Sequence, residues 1–224
     1  MRVVVIGAGF IGVEFSDELN KRGHAVTLVE KLPNILSLAF DVELSGRIEE
    51  LLTKRGVKLV TGNGISEVLG EEKVTAVRLE NGDELEADAV ILSMGYKPNT
   101  KLAREAGIMV DDSGFIVVDE FMRTPTPDVF AAGDCAQKRD FITRRRVPTM
   151  LASTACAEAR IAGMNLFNIH VVKTFSGTIA IYSTAIDNVG FGTAGITEAR
   201  AELEGIATYT GLFEGIDRHP GNLP

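Results

Sequence analysis

The chain has 224 residues, of which 45% are hydrophobic and 24% are charged, and its formal net charge is −8. These values are typical of a globular protein, and the negative charge argues against a nucleic-acid partner. No apolar run reaches the ~20 residues of a membrane-spanning helix, and no signal peptide is recognisable. We therefore expect a cytoplasmic protein without a membrane partner.

The first predicted element is an apolar segment from Val3 to Ile6 with the composition of a buried parallel strand. Gly7-x-Gly9-x-x-Gly12 follows at once, and a helical pattern runs from Phe10 to about Arg22. A strand, a glycine turn and a helix in this order are typical of a dinucleotide-binding unit. We expect phosphates to bind at the helix N-terminus, where free N–H groups and the helix dipole attract negative charge.

A second apolar strand, from Ala25 to Val29, ends in Glu30, which lies about 20 residues beyond Gly12. A carboxylate there accepts hydrogen bonds from both ribose hydroxyls and repels a 2′-phosphate, so we expect NAD(H) to be preferred over NADP(H). The neighbouring Lys31 is a cation that favours a 2′-phosphate instead. The plain alternative is an ordinary βαβ unit, because glycines mark any tight turn.

The middle of the chain continues an α/β pattern. Asp41 is predicted to cap a helix that extends to Arg55, and Val57 to Val60 is predicted to add a strand. Three short alternating segments then predict an antiparallel meander, which interrupts the parallel pattern until a buried strand at Asp88 to Met94. The three segments are Ile65 to Leu69, Lys73 to Glu80 and Glu84 to Glu86.

The second half of the chain mixes strands with one long helix. Pro148 is predicted at the first position of a small-residue helix that ends near Leu166, with Thr149 in its first turn. The remaining predicted elements are a helix at Lys101 to Ala106, strands at Phe115 to Val118, Asp128 to Ala132, Thr178 to Thr184 and Asn188 to Gly192, and a helix beginning at Thr197.

Three motifs are more specific than this general pattern. The first runs from Val5 to Glu14, the second from Asp88 to Asn99, and the third from Thr124 to Ala136, which contains Gly133-Asp134. Together they resemble the pyridine nucleotide-disulfide oxidoreductase superfamily, and in particular its NADH oxidase, NADH peroxidase and coenzyme A-disulfide reductase group. The chain is similar to the central portion of such a flavoprotein.

The resemblance implies an α/β fold in three parts. Residues 1–97 would form a Rossmann-like NAD(H)-binding domain with the antiparallel meander. Residues 98–170 would form the C-terminal part of an FAD-binding domain, and residues 171–224 the start of an incomplete α+β dimerisation domain. In its full-length form, such a protein is expected to be a homodimer.

The resemblance also assigns cofactor-binding residues. The first motif would bind the nicotinamide dinucleotide, with Glu14 near the nicotinamide at the flavin edge, and Asp134 would bind the ribityl chain of FAD. A helix N-terminus at Pro148 would stabilise the anionic reduced flavin. The expected cofactor-binding residues are Gly7, Gly9, Phe10, Ile11, Gly12, Glu14, Glu30, Lys31, Gly95, Gly133, Asp134, Pro148 and Thr149.

No catalytic residue is expected in this chain, because the family's redox-active cysteine follows an FAD-binding unit that has no counterpart here. Cys135 and Cys156 are expected to pack in the core, and no metal site is expected.

The implied function is the NAD(P)H-binding portion of an enzyme that passes hydride from NADH to FAD and on to a disulfide, peroxide or oxygen. The alternative is a non-catalytic nucleotide-binding subunit or remnant that needs a separate FAD and cysteine chain. A flavin-free dehydrogenase is a weaker possibility, because no His or Lys after Gly95 lies in a recognisable catalytic setting.

Overall fold

A computed structural model describes residues 1–167 and 173–215 of the chain. Strands and helices alternate in the first third, a three-stranded meander follows, and the later part contains one long helix and a hairpin. The elements are β1 (Arg2–Ile6), α1 (Phe10–Lys21), β2 (Ala25–Val29), α2 (Val42–Lys54), β3 (Lys58–Val60), β4 (Ile65–Leu69), β5 (Ala76–Leu79), β6 (Glu84–Glu86), β7 (Ala89–Leu92), α3 (Lys101–Glu105), β8 (Lys138–Arg139), β9 (Arg146–Val147), α4 (Ala152–Asn165), β10 (Ile181–Ile186), β11 (Val189–Ala194) and α5 (Glu198–Leu203).

A parallel sheet with the strand order β3-β2-β1-β7 forms the centre of the first part. Side chains of α1 and α2 cover one face, where Val13, Ile48 and Leu52 are fully buried. The meander covers the other face, where Val77 and Leu79 pack with the inner strands. Because both faces are covered, β1 needs a continuous apolar run instead of an alternating one. The predicted α/β fold with a Rossmann-like sheet and a meander is confirmed.

The glycine turn lets α1 begin directly at the end of β1. Gly7 has φ +94°, and a Cβ there would lie 2.6 Å from the Ser93 carbonyl oxygen. A Cβ on Gly12 would lie 1.9 Å from the carbonyl oxygen of Gly7 and 2.7 Å from Ser93 Oγ. Both glycines are therefore required by packing, because no side chain fits between the turn, the helix and the loop after β7.

Two predicted strands in the second half are wrong. Around residues 115–118 and 128–132 only isolated bridges form, such as Val110 with Ile116 and Arg123 with Phe130. Asp128 has φ +60°, which turns the backbone out of the extended region at the start of the second segment. The preceding Pro125 and Pro127 also lack the N–H groups that a ladder needs.

The predicted start of the long helix is also wrong. Pro148 and Thr149 lie before α4, which begins at Ala152, and Leu151 is still extended with φ −135° and ψ 133°. A proline keeps the residue before it extended, and here Val147 also pairs with Lys138 in the β8–β9 ladder. No helical structure is assigned to residues 148–151, so Thr149 is not part of a helical turn.

The α2 helix begins where it was predicted, but its cap differs. Asp41 occupies the N-cap position without a side-chain cap bond. Its Oδ1 instead accepts a hydrogen bond of 2.7 Å from the backbone N–H of Glu198 at the start of α5. Val42, the first residue of α2, is apolar but 60% exposed. Among the helices of the described ranges, none has the length and apolar character needed to cross a membrane.

We predict that Gly12→Ala destabilises the protein by at least about 1–3 kcal/mol, because the new methyl group overlaps backbone that cannot move independently. Urea unfolding of the purified variant measures this effect. Gly46→Ala in α2 is the matched control, since its Cβ meets nothing within 4 Å. That variant should gain about 0.5–1 kcal/mol from helix propensity. An unchanged free energy of unfolding for Gly12→Ala would contradict the packing argument.

Candidate functional site

The predicted nucleotide-binding residues of the first part meet at the carboxyl ends of neighbouring strands. β1 lies between β2 and β7, so the chain leaves β1 on one side and returns on the other. In open α/β sheets a crevice forms at such a switch point. The glycine turn follows β1, Glu30 follows β2, and Gly95 lies shortly after β7.

Gly9 differs from the other two glycines of the turn. Its φ is −72°, which any residue can adopt, and a Cβ there would meet no atom within 4 Å. Since Gly9 is the N-cap residue and has no side chain, the N-terminus of α1 carries no side-chain cap. The surface above Gly9 is therefore open and lined by backbone, which suits close approach of an anionic group.

Glu30 lies against this turn. Its carboxylate accepts hydrogen bonds from the backbone N–H groups of Ala8 (2.7 Å) and Leu32 (2.9 Å). The side chain of the neighbouring Lys31 instead forms an exposed ion pair with Glu80, with Nζ and Oε1 2.9 Å apart. The structure thus brings Glu30 to the glycine turn and directs Lys31 toward the meander.

The hairpin of β10 and β11 contacts the other side of the α1 N-terminus. The ring of Tyr182 stacks on Phe10 with centroids 5.1 Å apart and an interplanar angle of 22°. Thr184 Oγ1 donates a hydrogen bond of 2.8 Å to Glu14 Oε1. Burial raises the pKa of Tyr182, although the nearby side chain of Thr149 opposes this shift.

Tyr182 and Thr184 were not predicted as site residues. The available signal is the alternation along β10, in which Tyr182, Thr184 and Ile186 share the more buried face. That alternation identifies the inward side chains, but it does not say which helix they contact.

The predicted flavin-side residues form a second group. Gly133 has φ +85°, and Asp134 is exposed at the corner that follows. Beneath this corner lie two fully buried charged residues, Lys138 and Glu158, which sequence reasoning also missed. Thr149 is buried beside Tyr182, so Tyr182 contacts both the α1 group and the flavin-side group.

The two cysteines do not behave alike. Cys135 is half-buried, and its Sγ lies 3.6 Å from the carbonyl oxygen of Ala132. Cys156 is exposed on α4, so the prediction that it packs in the core is wrong. Small residues line more than one side of that helix, and the sequence alone did not show which side faces solvent.

The strand order and the glycine turn define a protein with a Rossmann-like fold. Comparison with known proteins makes this specific: the profile of the pyridine nucleotide-disulphide oxidoreductase family matches residues 1–159. The chain belongs to this family.

Relatives and solved structures agree with this assignment. The chain is 34% identical over 222 residues to the NAD(P)H coenzyme A polysulfide/persulfide reductase of Pyrococcus horikoshii, covering 98% of this chain and 49% of that protein. It is 30% identical over 226 residues to an NADH oxidase of Methanocaldococcus jannaschii, with the same two coverages. The water-forming NADH oxidase of Lactobacillus brevis, solved with NADH bound, superposes with a TM-score of 0.84 at 29% identity, covering 92% of this chain and 45% of that one. The chain thus spans about half the length of the relatives that it matches.

An ion network around the buried carboxylate of Asp17 connects the hairpin to α1 and to the end of α2. The carboxylate of Asp17, which is 2% exposed, contacts Lys21 Nζ at 2.7 Å and Arg55 Nε at 3.1 Å, and accepts the N–H of Asp187 at 3.1 Å. Arg55 Nη1 also lies 2.9 Å from Asp187 Oδ1 in the hairpin turn. Burial alone would raise the pKa of Asp17, but the contacts with Lys21, Asp187 and Arg55 outweigh it and lower the pKa.

We predict that this network makes the protein acid-sensitive. Because the folded-state pKa of Asp17 is lowered, its ionisation stabilises the fold above the ordinary value of 3.8 and this contribution is lost as the pH falls below it. Asp17→Asn should cost about 2 kcal/mol at neutral pH and remove this part of the pH dependence. Urea unfolding at a series of pH values measures both effects. A variant with the same acid sensitivity as the wild type would contradict the assignment.

Proposed function

We propose that this chain is the NAD(P)H-binding portion of a flavin-dependent oxidoreductase and that NADH binds across the glycine turn. The observation that carries the proposal is the open backbone surface at Gly9, which lies beside the Glu30 carboxylate at the switch point of the sheet. This arrangement offers N–H groups to a diphosphate and an acceptor to a ribose. Membership of the family supports the same role.

The contacts of Glu30 and Lys31 favour NADH over NADPH. Glu30 is anchored by the N–H groups of Ala8 and Leu32 at the place where the adenosine ribose would bind. A 2′-phosphate would meet this carboxylate, whereas the charge of Lys31 is paired with Glu80. Electrostatic repulsion at short range therefore selects against the phosphorylated nucleotide.

We assign the nicotinamide end of the site to Phe10, Ile11, Glu14 and Gly95. A flavin, when bound, would supply the chemistry of accepting hydride from the nicotinamide. Glu14, which is held by Thr184, would help to orient the nicotinamide at the flavin edge. The final acceptor would be a disulfide, a peroxide or oxygen.

The flavin-side assignment rests on Gly133, Asp134, Pro148 and Thr149. The donor set fits, because Asp134 is an exposed acceptor at a chain corner and Thr149 supplies a buried hydroxyl nearby. A polyol chain needs acceptors of this kind. We propose the boundaries 1–97, 98–170 and 171–224 for the NAD(H)-binding, FAD-binding and dimerisation parts, with a homodimer as the full-length form.

The preference for NADH is tested by titrating NADH and NADPH separately into the purified chain and following the fluorescence of the nucleotide. We expect NADH to bind at least about tenfold more tightly than NADPH. Glu30→Gln should weaken NADH binding by about tenfold or more, because a charge-assisted hydrogen bond to ribose is lost. The same variant should reduce the ratio of the NADH affinity to the NADPH affinity.

Glu80→Gln is the matched control for Glu30→Gln. It removes a similar charge but leaves Glu30 in place, so NADH affinity should stay unchanged while NADPH binding improves as Lys31 is released. Equal affinities of the wild-type chain for the two nucleotides would refute the role of Glu30.

The diphosphate position is tested by Gly9→Ala. Its methyl group would project into open space, so the free energy of unfolding should change by less than about 0.5 kcal/mol. NADH affinity should nevertheless fall by about tenfold or more, since the methyl group occupies the surface that the diphosphate approaches. Gly46→Ala should leave NADH affinity unchanged. Full NADH binding by Gly9→Ala would overturn the proposed binding mode.

A further inference from the structure

A buried ion pair lies under the Gly133-Asp134 corner. The side chains of Lys138 in β8 and Glu158 in α4 are both 0% exposed, and Lys138 Nζ lies 3.5 Å from Glu158 Oε1. Removing two charges from water costs several kcal/mol for each ion, and the attraction between them often fails to repay this cost. The pair is therefore a poor device for stability alone, and its contacts point to another role.

Those contacts converge on one peptide segment. Lys138 Nζ donates hydrogen bonds to the carbonyl oxygens of Gly133 (2.5 Å) and Ala136 (3.0 Å). Glu158 Oε2 accepts the N–H of Gly133 at 2.7 Å. Gly133 is thus held at both its N–H and its carbonyl group, in a backbone conformation with φ +85°. The direction in which the chain presents Asp134 is fixed by two side chains that are distant from solvent.

The backbone of Lys138 also pairs with the segment before α4. Lys138 is in register with Val147 in the β8–β9 ladder, and Val147 immediately precedes Pro148. Lys138 thus contacts the Asp134 corner through its side chain and lies beside the residue before Pro148 through its strand.

Asp134 itself is left available. Its side chain is exposed, and its carboxylate makes no hydrogen bond with any residue in the ranges 1–167 and 173–215. By contrast, Asp111, Asp119 and Asp140 each accept backbone N–H groups nearby. The carboxylate oxygens of Asp134 therefore remain available to accept hydrogen bonds, and the peptide that carries them is fixed. Such an aspartate is suited to binding a ligand with several hydroxyl groups.

We infer that Lys138 and Glu158 are positioning residues for flavin: they hold the Gly133 peptide so that Asp134 is presented to the ribityl hydroxyls before the ligand arrives. This inference rests on the proposed flavin-side function of Asp134. Neither residue touches the ligand in this scheme. Pre-organisation of this kind improves affinity, because the corner does not have to be ordered during binding.

The sharpest test is the double variant Lys138→Met/Glu158→Leu, measured by titration of FAD with detection of its fluorescence. Replacing a buried ion pair with apolar residues of similar size is often neutral for stability, so unfolding by urea should remain close to wild type. FAD affinity should nevertheless fall by about tenfold or more, because Gly133 loses both of its anchors. Hydrogen exchange at the Gly133 amide should accelerate in the same variant.

Three single variants separate positioning from general stability. Glu158→Gln keeps an acceptor for the Gly133 N–H and should retain FAD affinity within about threefold, whereas Glu158→Leu should not. Leu52→Ala removes a fully buried side chain in the distant α2 core and should cost about 2–5 kcal/mol without changing FAD affinity.

The outcomes distinguish this inference from the proposed function. The positioning role would be overturned if the double variant bound FAD as tightly as the wild type. It would also be overturned if Glu158→Gln and Glu158→Leu lost the same amount of FAD affinity. Neither result would contradict flavin binding itself. A wild-type chain that binds NADH but no FAD would instead overturn the flavin half of the proposed function, and the inference with it, in favour of a nucleotide-binding subunit.

Discussion

The close approach of α1 to the turn after β1 is the constraint on which the rest of the structure depends. The Cα of Gly12 sits so near the Gly7 carbonyl that no Cβ can be added. This contact sets where the N-terminus of α1 lies, and hence which groups can reach it. The hydrogen bond from Ala8 to Glu30 and the stacking of Phe10 on Tyr182 both need that position. An outward shift of the helix would weaken both contacts, and the hydrogen bond would be the more sensitive of the two, because hydrogen bonds keep a narrow range of donor–acceptor distances.

The order and type of the elements in the first part of the fold could be predicted from the sequence, because their signals are local. The apolar run of β1, the glycine spacing and the helical period of α1 each specify their own segment, and together they leave one arrangement. The position of Glu30 beside the turn follows from strand order, since the ends of adjacent parallel strands meet at one edge. The sequence also predicted the meander, whose Asn81-Gly82 turn is a strong hairpin signal.

The errors lie where a residue's partner is distant in sequence. Asp41 is a residue type that often caps helices, yet its carboxylate accepts the backbone N–H of Glu198, 157 positions away. Pro148 is a suitable first helical residue, yet the residue before it pairs in the β8–β9 ladder and the helix begins only at Ala152. Local propensity favours a conformation for each residue, but contacts with residues distant in sequence can override it. The same reason explains why Tyr182 and Thr184 were missed: their face of β10 was predictable, and their contacts with α1 were not.

The two ends of the candidate site are built by different physical means. On the nucleotide side, neutral backbone is shaped by steric exclusion at two glycines, and the one acidic group is anchored by peptide N–H groups. In the group that contains Asp134, the Gly133 peptide is held by the buried side chains of Lys138 and Glu158. Tyr182 contacts both ends, through Phe10 and Thr149, and the Asp17 network holds its hairpin in place. The β10 strand therefore connects the two groups of candidate site residues, so its attachment to α1 affects the position of both groups.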